Sequence, residues 1–168
     1  MKKIGIFILF IALLAACSDA DIKKNCCQEI PLIFNENNVL LGMPNFFSPN
    51  NDSSNDTYGP LGGGILSYTM QIIDTEDTVF TGVGTINDNL LAGYWDGRVN
   101  GAVQDGIFGY ALTIRTVNED TIAFNGIFCS LPDPETVCID DPDQCVTQAM
   151  FTNNGWDFDL PTDEVFCE

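Results

Sequence analysis

Gly106-Ile107-Phe108-Gly109-Tyr110-Ala111-Leu112-Thr113-Ile114-Arg115-Thr116 is the stretch that decides the fold. Phe108, Tyr110, Leu112 and Ile114 alternate with Gly109, Ala111, Thr113 and Arg115. A period of two sends the large apolar set to one face of a strand. Upstream, Tyr68, Met70 and Ile72 repeat the pattern against Thr69, Gln71 and Ile73. Further short apolar or alternating runs occupy 30–34, 39–47, 65–73, 78–81 and 121–128, with Gly, Asn, Asp and Pro clusters between them. That punctuation is expected of a β-sandwich. Beyond residue 16 nothing sustains a helical period, so the class is all-β.

The start of the chain fixes the compartment. Lys2 and Lys3 precede an apolar run at 4–14, which is too short to span a bilayer, since a membrane helix needs roughly 20 residues. Leu14-Ala15-Ala16-Cys17 then places small residues before a cysteine, the layout of a secretory signal peptide. The ending resembles the lipobox cut by the bacterial lipoprotein peptidase, which implies cleavage before Cys17 and acylation of that residue. Each buried acyl methylene contributes about 0.8 kcal/mol, so a multiply acylated cysteine is a durable membrane anchor. Ser18, Asp19 and Asp21 follow. Acidic residues at that place resemble the surface-export signal of gliding-type Gram-negative bacteria, which implies an outer-membrane lipoprotein exposed at the cell surface.

Charge narrows the partners. From Cys17 onward, four basic residues (Lys23, Lys24, Arg98 and Arg115) face 24 acidic ones, a formal charge of 4 − 24 = −20. Nucleic acid needs clusters of Lys and Arg and is excluded as a partner. Docking on anionic lipid is disfavoured for the same reason. Solubility and divalent cations are favoured, although most of these carboxylates need only be a solvated surface.

Seven cysteines, one of them claimed by lipid, leave Cys26, Cys27, Cys129, Cys138, Cys145 and Cys167. In an exported chain these predict up to three disulfides. The absence of His and of any C-x-x-C pair argues against zinc. We expect Cys129, Cys138, Cys145 and Cys167 to pair mainly among themselves. Adjacent Cys26 and Cys27 should take separate partners. The chain thus divides into a signal peptide (1–16), a polar tether (17–29), a sandwich domain (30–131) and an acidic, loop-rich, disulfide-tied extension (132–168). Trp156, Phe158 and Leu160 mark one possible short strand in that extension.

Three motifs lie in the middle. Phe46-Phe47-Ser48-Pro49-Asn50-Asn51-Asp52-Ser53-Ser54-Asn55-Asp56-Thr57-Tyr58 is an oxygen-rich loop following a β run. Trp95-Asp96-Gly97 precedes a polar stretch, and Asp105-Gly106-Ile107-Phe108-Gly109-Tyr110 enters a strand. With the apolar Thr78-Val79-Phe80, their order and distances resemble the gliding motility-associated C-terminal domain over roughly residues 43–128. That resemblance implies an immunoglobulin-like β-sandwich of secreted surface proteins. Family members carry glycines in the opening loop where this chain has Asn51 and Ser53. Asp74-Thr75-Glu76-Asp77 replaces the family's polar-Trp-Gly turn. The family domain normally closes a long protein and can serve as a secretion signal; here it makes up nearly all of the mature chain, so a stand-alone surface module is the more natural reading.

Read physically, Trp95 seals the core, Asp96-Gly97 is a turn pair and Gly106 lets the chain re-enter a strand. Asn50, Asp52, Ser54 and Asp56 fall at alternate positions, an arrangement open to two readings. Calcium takes six to eight oxygens, and this loop offers several. A hydrogen-bonded Asx-turn loop needs no metal. The central Gly and distal Glu of an EF-hand are absent. Catalysis has little to work with: there is no His, the cysteines are expected to be oxidised, and Gly62-Gly63-Gly64 lacks the Lys of a phosphate loop. Paired carboxylates suited to glycoside hydrolysis arise by chance among so many acids. The expected function is a non-enzymatic surface lipoprotein in adhesion or gliding machinery, with a surface protein or glycan as partner. A carbohydrate-binding or carbohydrate-processing accessory lipoprotein is the alternative.

Overall fold

The computed structural model describes residues 26–85, 93–136, 139 and 142–166. Its strands are β1 (Leu32–Glu36), β2 (Val39–Met43), β3 (Phe46–Phe47), β4 (Leu61–Gly63), β5 (Ile65–Asp74), β6 (Asp77–Gly84), β7 (Arg98–Val99), β8 (Ala102–Val103), β9 (Gly106–Thr116), β10 (Thr121–Ser130), β11 (Phe151–Thr152) and β12 (Gly155–Trp156). A five-stranded sheet runs β3-β10-β9-β5-β6 and a three-stranded sheet runs β1-β2-β4, with β7-β8 and β11-β12 as separate hairpins. The fold is all-β and sandwich-like.

The alternation in β9 does what a period of two requires. Phe108, Tyr110, Leu112 and Ile114 are buried, while Ile107, Thr113 and Arg115 are exposed. In β5, Tyr68, Met70 and Ile72 point the same way, and the register sets Met70 beside Leu112 and Ile72 beside Tyr110. Val39, Leu41 and Met43 of β2 meet them in one core cluster, so the second sheet lies over the first. At the β1–β2 turn, Asn37 (φ 51°) and Asn38 (φ 63°) are both left-handed, the two-residue loop for which Asn is suited. The β5–β6 turn is also two residues long, but there a β-branched Thr75 takes φ 56°, an unfavourable choice.

An aromatic cluster forms the centre. Trp95 is fully buried, with ring centroids 5.5 Å from Phe47, 5.1 Å from Phe108 and 6.0 Å from Phe128. Its Nε1 donates to the Arg98 carbonyl at 3.1 Å. Tyr58 and Trp95 exchange backbone hydrogen bonds of 2.8 and 2.9 Å, and the Tyr58 ring stacks on Phe128 at 3.6 Å. Asp96 accepts from the Arg98 backbone at 3.1 Å while Gly97 holds φ 76°, the expected turn pair.

Three expectations need correction. The run 39–47 is two strands, because Pro44 offers no backbone donor and the chain there leaves one sheet for the other. β3 then pairs in parallel with β10. Trp156, Phe158 and Leu160 do not form one strand: Trp156 pairs with Phe151 in the β11–β12 hairpin, and Phe158 is 57 % exposed. Asp157 ends the strand by accepting from the backbone of Asp159 on its side chain and of Leu160 on its carbonyl.

The third correction is the disulfide pattern. Cys26 bonds Cys129 and Cys27 bonds Cys145, so two of the four cysteines expected to pair among themselves reach back to the tether instead. The cause is packing. Cys26 and Cys27 are buried in a second cluster with Phe46, Leu131 and Ile139, where the tether joins the folded body. Asn45 holds the junction. Its Nδ2 donates to the carbonyls of Cys27 (3.3 Å), Glu29 (2.6 Å) and Gln144 (2.9 Å), and its Oδ1 accepts from Val146 N at 2.7 Å. Cys17, Cys138 and Cys167 lie outside the described residues.

Candidate functional site

The oxygen-rich loop spends its side chains on its own backbone. Asp56 accepts from Asn51 N (2.5 Å) and Ser53 N (2.9 Å). Asp52 accepts from Ser54 N (2.8 Å) and from Asn50 Nδ2 (2.9 Å), and Asn50 Oδ1 accepts from Asp52 N (3.0 Å). Asn51 (φ 63°), Ser53 (φ 80°) and Asn55 (φ 49°) are left-handed. Asx turns close the loop around these left-handed residues. Among the described residues no group of three or more His, Cys, Asp or Glu is placed to hold a metal ion. The oxygens of Asn50, Asp52 and Asp56 already accept from these N–H donors, as an Asx-turn loop requires.

The extension locks onto this loop through Glu164. The Ser48 hydroxyl donates to its carboxylate, and Asn55 Nδ2 donates to Glu164 Oε1 (2.9 Å) and to the Thr162 carbonyl (3.0 Å). Burial raises the Glu164 pKa above the ordinary carboxylate value; the Ser48 and Asn55 hydrogen bonds oppose that, and the charges of Asp52 and Asp56 add to it. Ser48 is fully buried, and its hydrogen bond to Glu164 clasps the loop to the extension. A group with a raised folded-state pKa favours the fold in its protonated form, and that contribution is lost as the pH rises through the folded pKa. Glu164→Gln keeps an acceptor for Ser48 and Asn55 without the charge. Its melting temperature is expected to exceed the parent's at pH 7, with the gap closing as the pH falls towards the carboxylate range. Thermal melts at pH 7 and pH 5 check this.

A separate concavity lies elsewhere. A cleft of about 740 Å³ opens between the β2–β4 side of the three-stranded sheet and the β11–β12 hairpin. Val39, Leu40, Leu61 and Phe151 supply apolar surface; Asn35, Asn38, Gln148, Thr152, Asn153 and Asn154 supply polar groups; Gly62, Gly63, Gly64, Thr85 and Tyr94 complete the lining. The hairpin is seated by a glycine: a Cβ on Gly42 would stand 2.5 Å from the Phe151 ring. Phe151 meets Trp156 edge-on at 4.9 Å, and Trp156 Nε1 donates to the Leu32 carbonyl at 3.0 Å. Tyr94 OH donates to the Pro60 carbonyl, and burial pushes its pKa up to about 12, so it stays neutral.

No family model, curated protein or solved structure matches the chain. The cleft therefore has to be read from its own chemistry. Gly62 (φ 135°) and Gly64 (φ 75°) must be glycine, because a Cβ would meet the Leu40 and Asn38 carbonyl oxygens at 1.9 and 2.2 Å. At Gly63 a Cβ meets nothing within 4 Å. The Gly62-Gly63-Gly64 run is visible in the sequence, whereas its partners Gln148, Asn153 and Asn154 come from a distant segment with no pattern linking it to the run.

Proposed function

We propose that this chain is a non-enzymatic, exported lipoprotein, held on the outer membrane through Cys17 and presenting its sandwich at the cell surface as a binding module for adhesion or gliding-type surface machinery. The observation that carries it is the pair of disulfides from Cys26 and Cys27. Disulfides form and persist in oxidising compartments, which fits a chain opened by a signal peptide and lipobox. They also fasten the segment just after the anchor to β10 and to the extension, so a pull on the lipid is delivered to the stapled end of the core. The order of the Phe-Ser-Pro-Asn, Trp-Asp-Gly and Gly-Ile-Phe-Gly-Tyr segments supports the gliding-associated part of the reading. A chain without His, whose Ser48 hydroxyl is buried, supports a binding role over a catalytic one.

Cys17→Ala tests the anchor. The variant is expected to leave the membrane fraction for the soluble one, since the −20 charge gives the domain no affinity of its own for anionic lipid. Carbonate-washed membranes that retain the variant would contradict the proposal.

A further inference from the structure

We propose that the cleft between β4 and the β11–β12 hairpin binds a neutral oligosaccharide. This rests on the reading of the chain as an exported binding module and names the ligand class that module takes. The first observation is charge. The chain carries 24 acidic residues, yet none of the described residues lining the cleft is charged. Among the described lining residues a cationic ligand finds no carboxylate, and an anionic one is repelled by the field of the whole domain.

The second observation is hydrogen-bonding capacity. Asn35, Asn38, Gln148, Asn153 and Asn154 all line the cleft. Each carboxamide both donates and accepts, as each sugar hydroxyl does. A purely apolar ligand would strip water from these amides and give nothing back. Gln148 Nε2 is buried and, among the described residues, has no hydrogen-bond partner. A buried donor left unmet is costly and rare, and it belongs to a residue that lines the cleft.

The third observation is shape. The open groove falls within the roughly 300–1,000 Å³ range of ligand clefts, and its floor mixes apolar side chains with bare glycine backbone. Sugar rings present both hydroxyl edges and apolar C–H faces, which suits that mixture. A peptide adding itself to the β4 edge is the rival occupant, since β4 ends the three-stranded sheet. The positive φ of Gly62 and Gly64 breaks the extended register that such an added strand needs, and the edge is only three residues long.

The test is binding of the detergent-solubilised lipoprotein to an array carrying neutral, sulfated and uronic-acid oligosaccharides, with an immobilised peptide library beside it. Neutral glycans are expected to be retained in preference to the charged ones. Gly63→Trp fills the groove from a position where a Cβ meets nothing, and is expected to weaken retention at least about tenfold with an unchanged melting temperature. Gln148→Ala takes a carboxamide from the cleft lining together with its unmet donor, and is expected to weaken retention while leaving the melting temperature equal or higher. Retention of no neutral glycan, preference for charged glycans, retention of peptides alone, or undiminished glycan binding by Gly63→Trp would each overturn the proposal. Membrane release of Cys17→Ala is read in a separate assay, so either reading can fail while the other stands.

Discussion

A chain in which Cys26, Cys27, Cys129 and Cys145 are all replaced by alanine is expected to lose roughly 8 kcal/mol of stability and to populate the unfolded state in mild urea. The figure follows from loop closure. Cys26–Cys129 spans 103 residues, and a cross-link over about 100 residues contributes about 4.7 kcal/mol through the unfolded chain. Once it is formed, Cys27–Cys145 closes only the short further loop from Cys129 to Cys145, and a loop of about 15 residues contributes about 3 kcal/mol. The two effects are therefore not interchangeable with two independent long loops. Removing either disulfide alone is expected to cost about 3 kcal/mol, because the other still holds the long loop. Removing both takes away an amount comparable with the 5–15 kcal/mol that stabilises a typical domain. Urea unfolding of the single-pair and double-pair variants measures these steps. Equal midpoints for the parent and the four-alanine variant would show that the disulfides do not hold the fold.

Trp95→Ala is expected to cost about 3–5 kcal/mol, the range for deleting a large aromatic from a core that cannot collapse around the gap. Phe47, Phe108 and Phe128 come from three different strands, so no single movement closes the space. The lost hydrogen bond to the Arg98 carbonyl adds to the deficit. Asp96→Ala, one residue on at an exposed turn, is expected to cost less than about 1 kcal/mol. That contrast separates a structural tryptophan from a functional Trp-Asp pair, and denaturant midpoints for both variants read it.

The alternation of β5 and β9 was legible because burial on one face of a strand writes a period of two into the sequence. The same reading misses β4, since Leu61-Gly62-Gly63 has no alternating side chains and its strand is held by backbone pairing with Leu40, Leu41 and Gly42. The disulfide partners were illegible for a related reason. Cysteine parity states how many bonds to expect, but the choice of Cys129 for Cys26 depends on where β10 ends, and that is a property of the sheet. Asn45 gives no signal at all in one dimension, although its side chain bonds segments on both sides of it at separations of 16 to 101 residues. Asn51 and Ser53 show a related case, since nothing in their side chains announces the left-handed backbone that both adopt. The cleft escapes sequence reading because its uncharged lining is defined by what is missing from a distant set of residues.

The central claim is that this is a processed, lipid-anchored module clamped by the cysteines that follow its anchor. Intact-mass measurement of the protein extracted from membranes, with peptide mapping under non-reducing conditions, tests it most directly. The account predicts a chain that begins at Cys17, carries acyl mass on that residue, and links the Cys26-Cys27 peptide to peptides containing Cys129 and Cys145. A chain that retains residues 1–16, an unmodified Cys17, or free thiols at Cys26, Cys27, Cys129 and Cys145 would contradict it.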